Sequence, residues 1–423
     1  MHDIVIKFEH FNGSVQGLKL SDGKSHEHCF PKQRGSDRAK CISIQPAEDG
    51  HTMTLSYYIG VDWIVENEQA IYVEPKVNEN CQPTNYLAML IHALKHPGIS
   101  KYTNELFEIQ FEKPFIEIEQ HHDLITPLIV IQYLNVIQSI VRKGLKKSFY
   151  KVENNLTGRI KGKILQGQTV KQNLFRNKML NTYCRYEEFG YNGLENRLLK
   201  KALLFVQRYL PNIKVPGLSE YSQNLFSFVL PAFSSVSDEF DFNDLKQNKP
   251  NIFFKEYTEA TRLAKLILQR FGFNISNTQQ HGKIKTPPFW IDMSKLFELY
   301  VLGLLRDRFP DKNLIYLFTT NYQELDFLIC SSEYQIVADA KYKPIYQSHY
   351  DKDNIRQLSG YARMKSVYRK LQKAQNEIID CLIIYPDQEN GIEHLRDINL
   401  KGTAIDQFVN FYKIAIRLPL VNN

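Results

Sequence analysis

Two aspartates and a lysine in the last third of the chain have the types and spacing to bind a divalent cation and activate water. Asp326 lies in the apolar run ELDFLIC, and Asp339 and Lys341 flank Ala340 beyond a short turn at residues 331–333. Alternate side chains of a strand share a face, so Asp339 and Lys341 are expected to be neighbours about 7 Å apart. A hairpin would bring Asp326 against them, and facing carboxylates favour Mg²⁺.

Each group then has a part in phosphodiester hydrolysis. The cation would polarise a phosphodiester oxygen and lower the pKa of a bound water. Lys341 would orient or deprotonate that water, or offset charge on the phosphorus, because its ammonium is a point charge on a flexible stem. The expected cofactor is Mg²⁺, with Mn²⁺ able to replace it.

Three further side chains are candidates for the same site. Glu298 is a carboxylate in the otherwise nearly apolar helical run LFELYVLGLL, where a charge needs a partner or a site. Gln357 and Tyr361 stand one helical turn apart and so face the same way. The predicted metal ligands are Asp326, Asp339 and Glu298, and the predicted catalytic set adds Lys341, Gln357 and Tyr361.

Taken singly, these residues also fit ordinary structural roles. Asp339 and Lys341 could be a same-face ion pair, Glu298 could pair with any buried cation, and Gln357 and Tyr361 could lie on helix surface. Only their ordered combination on the expected elements favours a hydrolytic site.

Length and composition indicate an ordinary folded protein. A chain of 423 residues is expected to form two or three domains, and 43% hydrophobic with 23% charged residues argues against long disordered regions. The net charge of +7 permits nucleic-acid binding without demonstrating it. The six cysteines form no CxxC pair, and His26, His28, Cys29 and Cys41 fit no common zinc finger, so a polar loop is favoured there.

The sequence shows no evident targeting or membrane-spanning segment. The first residues lack a basic stretch followed by an apolar one. The most apolar segment, residues 127–141, is shorter than the roughly 20 residues of a spanning helix and contains polar side chains. We therefore expect a soluble cytoplasmic protein without a membrane partner.

The pattern along the chain predicts an α+β protein of several domains. A β-rich N-terminal domain is expected over residues 1–118, a mainly helical middle region over 119–280 and a C-terminal α/β domain over 281–423. The polar loop 276–288, which ends in two prolines, marks the second boundary. The polar stretch 21–40 predicts a long loop or hairpin tip.

Individual elements follow from the spacing of apolar residues. Strands are predicted at 53–59, 69–73, 315–318, 324–330, 334–342, 379–385 and 411–418, and helices at 124–147, 194–210, 257–271, 291–309 and 353–374. The sequence GRIKGKI predicts a strand over 158–164. Its Arg159, Lys161 and Lys163 would share one face, where they could touch phosphates or only solvent.

The ordered site residues resemble those of the PD-(D/E)xK nucleases, including the QxxxY helix of the RecB-like type. Leu325 stands where a Pro usually precedes the first Asp, which removes no ligand. More narrowly, the chain is similar to the McrC family, the endonuclease subunits of McrBC modification-dependent restriction systems. The segments that carry this similarity are 58–61, 73–77, 156–160, 186–188, 195–197, the DMSKLFE stretch 292–298 and the DAK hairpin.

The resemblance implies a fold, a cofactor and partners. The C-terminal domain would be a PD-(D/E)xK nuclease domain with a mixed central sheet, cutting DNA with Mg²⁺. A McrB-like AAA+ GTPase hexamer would read modified DNA and be stimulated by the docked N-terminal domain. The chain has no GxxxxGK[ST] loop, so GTP would be used only through the partner. The stretch 21–40, with Arg34 and Arg38, could enter the ring.

Three functions fit these observations. The first is a Mg²⁺-dependent DNA endonuclease subunit directed by a GTPase partner that it stimulates. The second is an adaptor that activates a AAA+ ring without cutting DNA. The third is a stand-alone RecB-like repair nuclease that needs no partner.

Overall fold

The computed structural model describes residues 2–21, 23–31, 39–48, 50–75, 84–96, 98–119, 125–212, 217–241, 255–277, 283–320, 323–343 and 350–420. By the contacts between residues, the chain divides into two compact units. Unit one comprises Met1–Leu124, Val215–Gly217 and Gly282–Asn423, and unit two comprises Ile125–Lys214 and Leu218–His281. The boundaries expected near residues 118 and 280 fall close to these divisions, but the N-terminal and C-terminal segments belong to the same unit.

The N-terminal strands of unit one contribute to three sheets. The elements are β1 (Asp3–Phe8), β2 (Asn12–Val15), β3 (His26–Phe30), β4 (Ala39–Ala47), β5 (Gly50–Leu55), β6 (Tyr58–Val65), β7 (Gln69–Glu74), α1 (Tyr86–Leu94), a 3-10 helix (Ile99–Glu105), β8 (Phe107–Ile109) and β9 (Ile116–Glu119). Strands β2, β5, β4 and β3 form an antiparallel sheet in that order. Its inner face buries Ile42, Ile44 and Met53.

The N-terminal region differs from its prediction in two places. The single strand expected over 53–59 is two strands, because β5 ends at Leu55 and β6 begins at Tyr58. Of the two alternatives expected over 21–40, a long loop or a hairpin tip, the antiparallel pairing of β3 with β4 favours the hairpin, and residues 32–38 between these strands lie outside the described residues. Helix α1 was not predicted, because nearly all of its side chains are buried and the run shows no polar face.

The part of the 21–40 stretch that was expected to enter a ring lies mostly outside the described residues. Arg34 and Arg38 both lie outside the described residues. The prediction for these two side chains stays a prediction.

Two strands from beyond residue 280 complete the N-terminal sheets. Strand β13 (Lys283–Thr286) pairs with β9, and β14 (Phe289–Asp292) lies between β6 and β8 in a sheet of order β1-β7-β6-β14-β8. Gly60 has φ +150°, and a Cβ there would lie 2.1 Å from the Phe289 carbonyl oxygen. Only glycine allows β14 to approach β6 so closely.

Unit two contains four long helices and a three-stranded sheet. Its elements are α2 (Ile125–Lys143), β10 (Ser148–Thr157), β11 (Lys163–Ile164), α3 (Gln166–Gln172), β12 (Asn181–Gly190), α4 (Leu194–Tyr209), α5 (Leu218–Val229) and α6 (Lys255–Asn277), with 3-10 helices at Leu174–Arg176, Leu210–Asn212 and Leu230–Phe233. The helices predicted at 124–147, 194–210 and 257–271 are confirmed, although α2 ends before Lys146.

Among the described helices, α2 alone has the length and composition of a membrane span. It has 19 residues with a mean hydropathy of 1.3, longer than the apolar segment noted in the sequence. Within the fold, 72% of this window is buried, as in the core helix of a folded domain.

Strands β10 and β12 form a ten-residue antiparallel ladder that the sequence did not predict. We call residues 148–190 the arm. The strand predicted over 158–164 is wrong except for Lys163–Ile164, because Gly158 and Gly162 have φ +66° and +67° and turn the chain. Nine of the sixteen exposed large apolar side chains among the described residues lie in the arm.

The C-terminal part of unit one is a mixed six-stranded sheet with helices on both faces. Its elements are α7 (Met293–Arg306), β15 (Leu314–Thr320), β16 (Gln323–Cys330), β17 (Gln335–Ala340), α8 (Lys352–Ala362), α9 (Lys365–Leu371), β18 (Asp380–Pro386), β19 (Thr403–Ala404) and β20 (Phe411–Ile416). The strand order is β15-β16-β17-β18-β20-β19. Strands β15, β16 and β17 are antiparallel, and β18 is parallel to both of its neighbours.

The predicted strands of this region are all present. The helix predicted over 353–374 is instead two helices, α8 and α9, which are separated at Arg363 and Met364. Both helices bury apolar side chains against one face of the sheet, among them Leu358 and Val367 with Val337 of β17. The two helices therefore cover the face toward which β17 directs its odd-numbered residues.

Candidate active site

Strands β16 and β17 form the hairpin expected around the two aspartates. Their regular pairing ends at Phe327 with Ala338, so Asp326 and Asp339 occupy the next position along the two strands. There the Oδ2 atom of Asp326 accepts a hydrogen bond from the Ala340 backbone amide at 3.1 Å. The predicted meeting of Asp326 with the DAK segment is thus present in the structure.

The pairing of β17 with its neighbours explains why the Ala340 amide donates to a side chain and not to a backbone carbonyl. On its other edge, β17 pairs with β18, and the Lys341 amide donates to the Ile384 carbonyl at 2.9 Å. Successive amides point to opposite edges of a strand, so the Ala340 amide faces β16, where the regular pairing has ended. A backbone donor in a sheet interior must be satisfied, and the Asp326 carboxylate does so.

Strand β15 is also distorted beside this carboxylate. Leu317 lies opposite Asp326 in the β15–β16 register, and the pairs on either side of it are regular. Leu317 itself has φ +53°, a left-handed conformation that is uncommon for residues other than glycine. The backbone is therefore irregular on both sides of Asp326, a feature that concentrates at functional sites.

Lys341 connects the aspartates to helix α8. Its Nζ lies 2.7 Å from Oδ2 of Asp339 and donates to Oε1 of Gln357 at 3.3 Å. Gln357 in turn donates from Nε2 to the Tyr361 hydroxyl at 3.1 Å. Asp339 is 4% exposed, whereas Gln357 is exposed to solvent. Four predicted residues thus form one chain of contacts that runs from a buried carboxylate to the surface.

The electrostatics of this cluster disfavour a second bare negative charge. Burial, and then the charges of Asp339 and Glu298, raise the pKa of Asp326 well above its ordinary value, while Lys341 lowers it. Burial also raises the pKa of Tyr361, so its hydroxyl keeps its proton at neutral pH. The site therefore favours a bound cation or a bound proton between the two aspartates.

Glu298 contacts a different set of side chains. Its Oε1 atom accepts hydrogen bonds from Lys295 Nζ at 3.0 Å and from the Tyr316 hydroxyl at 2.6 Å. Lys295 also donates to Tyr316 at 2.7 Å. Burial and the Glu298 charge raise the pKa of Tyr316, which keeps the phenol protonated as a donor. Glu298 is near enough to influence Asp326, but its own hydrogen bonds bind it to Lys295 and Tyr316.

The position of Glu298 follows from the face on which α7 packs. Phe297 of α7 contacts the ring of Tyr342, with centroids 5.8 Å apart. Tyr342 is even-numbered in the run that follows β17, so it lies on the face opposite Asp339 and Lys341. Helices α7 and α8 thus lie on opposite faces of the sheet.

Lys295 and Tyr316 were missed as site residues. The spacing of Lys295 and Glu298, three apart on a helix, is a readable signal for an ion pair. Tyr316 comes from a different element, and nothing local in the sequence connects it with Glu298.

A divalent cation fits two of the three predicted ligands. Within the described parts of the chain, no three His, Cys, Asp or Glu side chains are arranged to hold a metal ion. Asp326 and Asp339 are nevertheless adjacent, and the buried Oδ2 atom of Asp339 makes no hydrogen bond to a described residue, although the Lys341 ammonium lies 2.7 Å from it. Mg²⁺ commonly uses only one or two protein carboxylates, together with water and substrate phosphate. The pair therefore fits Mg²⁺ without requiring Glu298.

Comparisons with known proteins identify the family. No curated protein matches the chain. Two solved assemblies contain similar chains. One is a half-complex of Thermococcus gammatolerans McrB AAA+ hexamers with bound McrC, at 15% identity and TM-score 0.37 over 89% of this chain and 81% of that one. The other is the McrBC complex of the same organism, at 14% identity and TM-score 0.29 over 85% and 99%.

A family-wide sequence profile, described as the McrBC 5-methylcytosine restriction system component, matches residues 54–386. This range covers well over half of the chain. The protein therefore belongs to the McrBC family.

Proposed function

We propose that this protein is the DNA-cleaving subunit of a McrBC-like restriction system, with a PD-(D/E)xK site that uses Mg²⁺. The observation that carries the proposal is the cluster at the end of β17. It combines a carboxylate pair, an ammonium 2.7 Å from one of the carboxylates and an exposed amide that contacts this ammonium. The family membership supports a role in restriction.

Each residue of the cluster has a distinct part in the proposed hydrolysis. Asp326 and Asp339 would hold Mg²⁺, which supplies a Lewis acid and a water of lowered pKa. Lys341 holds a proton beside the attacked phosphate and offsets charge there. Gln357 fixes the ammonium by accepting from it. The Tyr361 hydroxyl accepts from Gln357 and so keeps its own proton for a phosphate oxygen.

The proposed partner is a McrB-like AAA+ GTPase ring, as in the similar assemblies, whose McrC is bound to McrB hexamers. We assign this contact to the arm, which lies in unit two, in place of the N-terminal domain that the resemblance implies. Phe175, Met179 and Leu180 are 81%, 69% and 74% exposed. Clustered apolar side chains at a surface mark protein interfaces. The arm also carries eight Lys and Arg against three Glu, so an acidic surface on the ring would complement it.

A cleavage assay tests the proposal. Purified chain would be mixed with its ring partner, GTP and Mg²⁺, and with DNA that does or does not contain 5-methylcytosine. We expect D339N and K341A to lose cleavage by at least about 100-fold and to keep the stimulation of GTP hydrolysis. The matched controls are D380N and K401A. They break an ion pair at 2.9 Å between the buried Asp380 and the exposed Lys401, at the other end of the sheet, and should cut normally.

Two results would favour the other functions. If the wild-type chain stimulates the ring but never cuts DNA, it is an adaptor. If it cuts plain DNA without any partner, it is a stand-alone nuclease.

A further inference from the structure

A buried carboxylate from the N-terminal strands contacts the chain beside the proposed site. Glu9 directly follows β1 and is 0% exposed. Its Oε1 accepts a hydrogen bond from the Tyr342 hydroxyl at 2.9 Å, across 333 positions of sequence. Burying a carboxylate is costly, so this contact calls for a physical reason.

Tyr342 lies where the chain leaves the site. The Lys341 amide makes the last hydrogen bond of β17 to β18, and the Lys343 amide then donates to the Lys341 carbonyl at 2.8 Å. A hydrogen bond between residues two apart is a γ-turn, and Tyr342 is its central residue. The direction of the chain at Lys341 is therefore set by where the Tyr342 side chain goes.

The two neighbouring side chains point to opposite faces of the sheet. Lys341 points toward Gln357 on α8, whereas Tyr342 is 4% exposed and packs against Phe297 of α7. The hydroxyl of Tyr342 donates its hydrogen bond to Glu9. The backbone at Lys341 is thus fixed from the opposite face of the sheet by the buried ring of Tyr342 and by its hydrogen bond to Glu9.

We propose that Glu9 and Tyr342 are positioning residues that hold the Lys341 ammonium against Asp339. This inference rests on the proposed function only in that Lys341 acts in cleavage. Its physical basis is the tight geometry of the γ-turn. Because the turn joins Lys341 directly to Tyr342, loss of the contacts that fix the Tyr342 side chain would let the backbone of Lys341 shift. A displacement of about 1 Å at a reacting group can cost about 100-fold in rate.

The test compares three variants. Y342F removes the donor hydroxyl, E9L removes the acceptor, and E9Q keeps an acceptor oxygen but removes the charge. The matched control is Y368F. Tyr368 is similarly buried and donates to the Glu377 carbonyl at the same 2.9 Å, but it lies on α9 and its partner is local, nine positions along the chain. All variants would be measured as full-length chains.

Two readouts separate this inference from the proposed function. The first is the rate of reductive methylation of Lys341 without metal or DNA, followed by mass spectrometry. The second is kcat and KM for Mg²⁺-dependent DNA cleavage with the ring present. In Y342F and E9L we expect faster methylation and a kcat about 10- to 100-fold lower with KM unchanged. E9Q and Y368F should resemble the wild type.

Equal Lys341 methylation in Y342F, Y368F and wild type would overturn the positioning role, whatever the cleavage rates. If methylation rises in Y342F while the wild type itself never cuts DNA, the positioning role stands and the proposed function fails. If Y342F and E9L fail to fold, the rate of Lys341 methylation in E9Q tests the positioning role instead. Because it keeps the acceptor without the charge, wild-type methylation in E9Q supports a hydrogen-bond role, and fast methylation contradicts it.

Discussion

Asp326 takes a backbone hydrogen bond from Ala340 at the point where the β16–β17 ladder stops. The carboxylate thereby substitutes for a main-chain carbonyl, and the strand end remains satisfied without a further backbone partner. The same carboxylate is half-buried beside Asp339. One side chain therefore completes the sheet and also carries charge at the proposed metal site.

We predict that D326N stabilises the metal-free protein at neutral pH. The raised pKa of Asp326 means that the folded state holds its proton more tightly than the unfolded chain does. This stabilisation is complete below the ordinary pKa of about 4 and is lost as pH rises through the raised value. Asn carries no charge and can still accept from Ala340, so the free energy of unfolding should rise by about 1 kcal/mol.

Urea unfolding in EDTA from about pH 5 to 8 measures this effect. The wild type should lose stability with rising pH more steeply than D326N. The control is D380N, which removes a carboxylate paired with Lys401 and should not gain stability. If the free energy of unfolding of D326N falls with pH as steeply as that of the wild type, the charged Asp326 carboxylate does not destabilise the folded state.

We predict that Mg²⁺ stabilises the wild type and that D339N abolishes this effect. A ligand at 100 times its Kd adds about 2.7 kcal/mol to the free energy of unfolding. E298Q should keep most of the effect, because Glu298 is held by Lys295 and Tyr316 instead of joining the aspartate pair. Thermal unfolding with and without Mg²⁺ measures both variants. Equal losses in D339N and E298Q would make Glu298 a full ligand, as the sequence predicts.

Much of this cluster could be predicted from the sequence because its members form pairs that lie close together in the chain. Alternation along β17 places Asp339 and Lys341 on one face, and the helical spacing of Gln357 and Tyr361 places both side chains together. The two residues of each pair are at most four positions apart in the chain. The order of the elements then limits how they can meet.

What could not be predicted depends on pairing between distant segments. Strand β14 enters the N-terminal sheet, and its indole at Trp290 donates to Asp62 across 228 positions. The bond from Tyr342 to Glu9 spans 333 positions. Short apolar strands carry no signal for their partner, because any of several edges would bury them equally well. The hydrogen bonds from Lys295 and Tyr316 to Glu298 could not be predicted for a similar reason: the face on which α7 packs cannot be read from its own periodicity. The assignment of Glu298 as a metal ligand stays a prediction.

We predict that the residues of α8 contribute to cleavage in a fixed order. Q357A removes the acceptor of the Lys341 ammonium and the donor to Tyr361, so it should cost more than Y361F, which removes one hydroxyl. We expect a loss of about 100-fold in kcat for Q357A and about 10-fold for Y361F. Q372A, at the exposed C-terminal end of α9, is the control. Equal kcat values for Y361F and Q357A would show that Gln357 does not hold the ammonium.

We predict that changing the segment 158–180, which connects β10 to β12 within the arm, separates partner binding from folding. The triple variant F175S, M179S and L180S replaces three side chains that are mostly in solvent, so the free energy of unfolding should change by less than about 0.5 kcal/mol for each substitution. Binding to the ring should weaken at least about 10-fold, or about 1.4 kcal/mol, if these side chains fill an apolar site there.

Surface plasmon resonance with immobilised ring measures this loss, and stimulation of GTP hydrolysis by the variant measures its consequence. The control is I378S with V409S, two exposed apolar side chains of unit one that lie outside the arm. Because this control removes exposed apolar area as well, an equal loss of ring binding in both variants would indicate non-specific hydrophobic association instead of a docking surface. Unchanged ring binding in the arm variant, with normal GTP stimulation, would move the docking surface to another part of the chain.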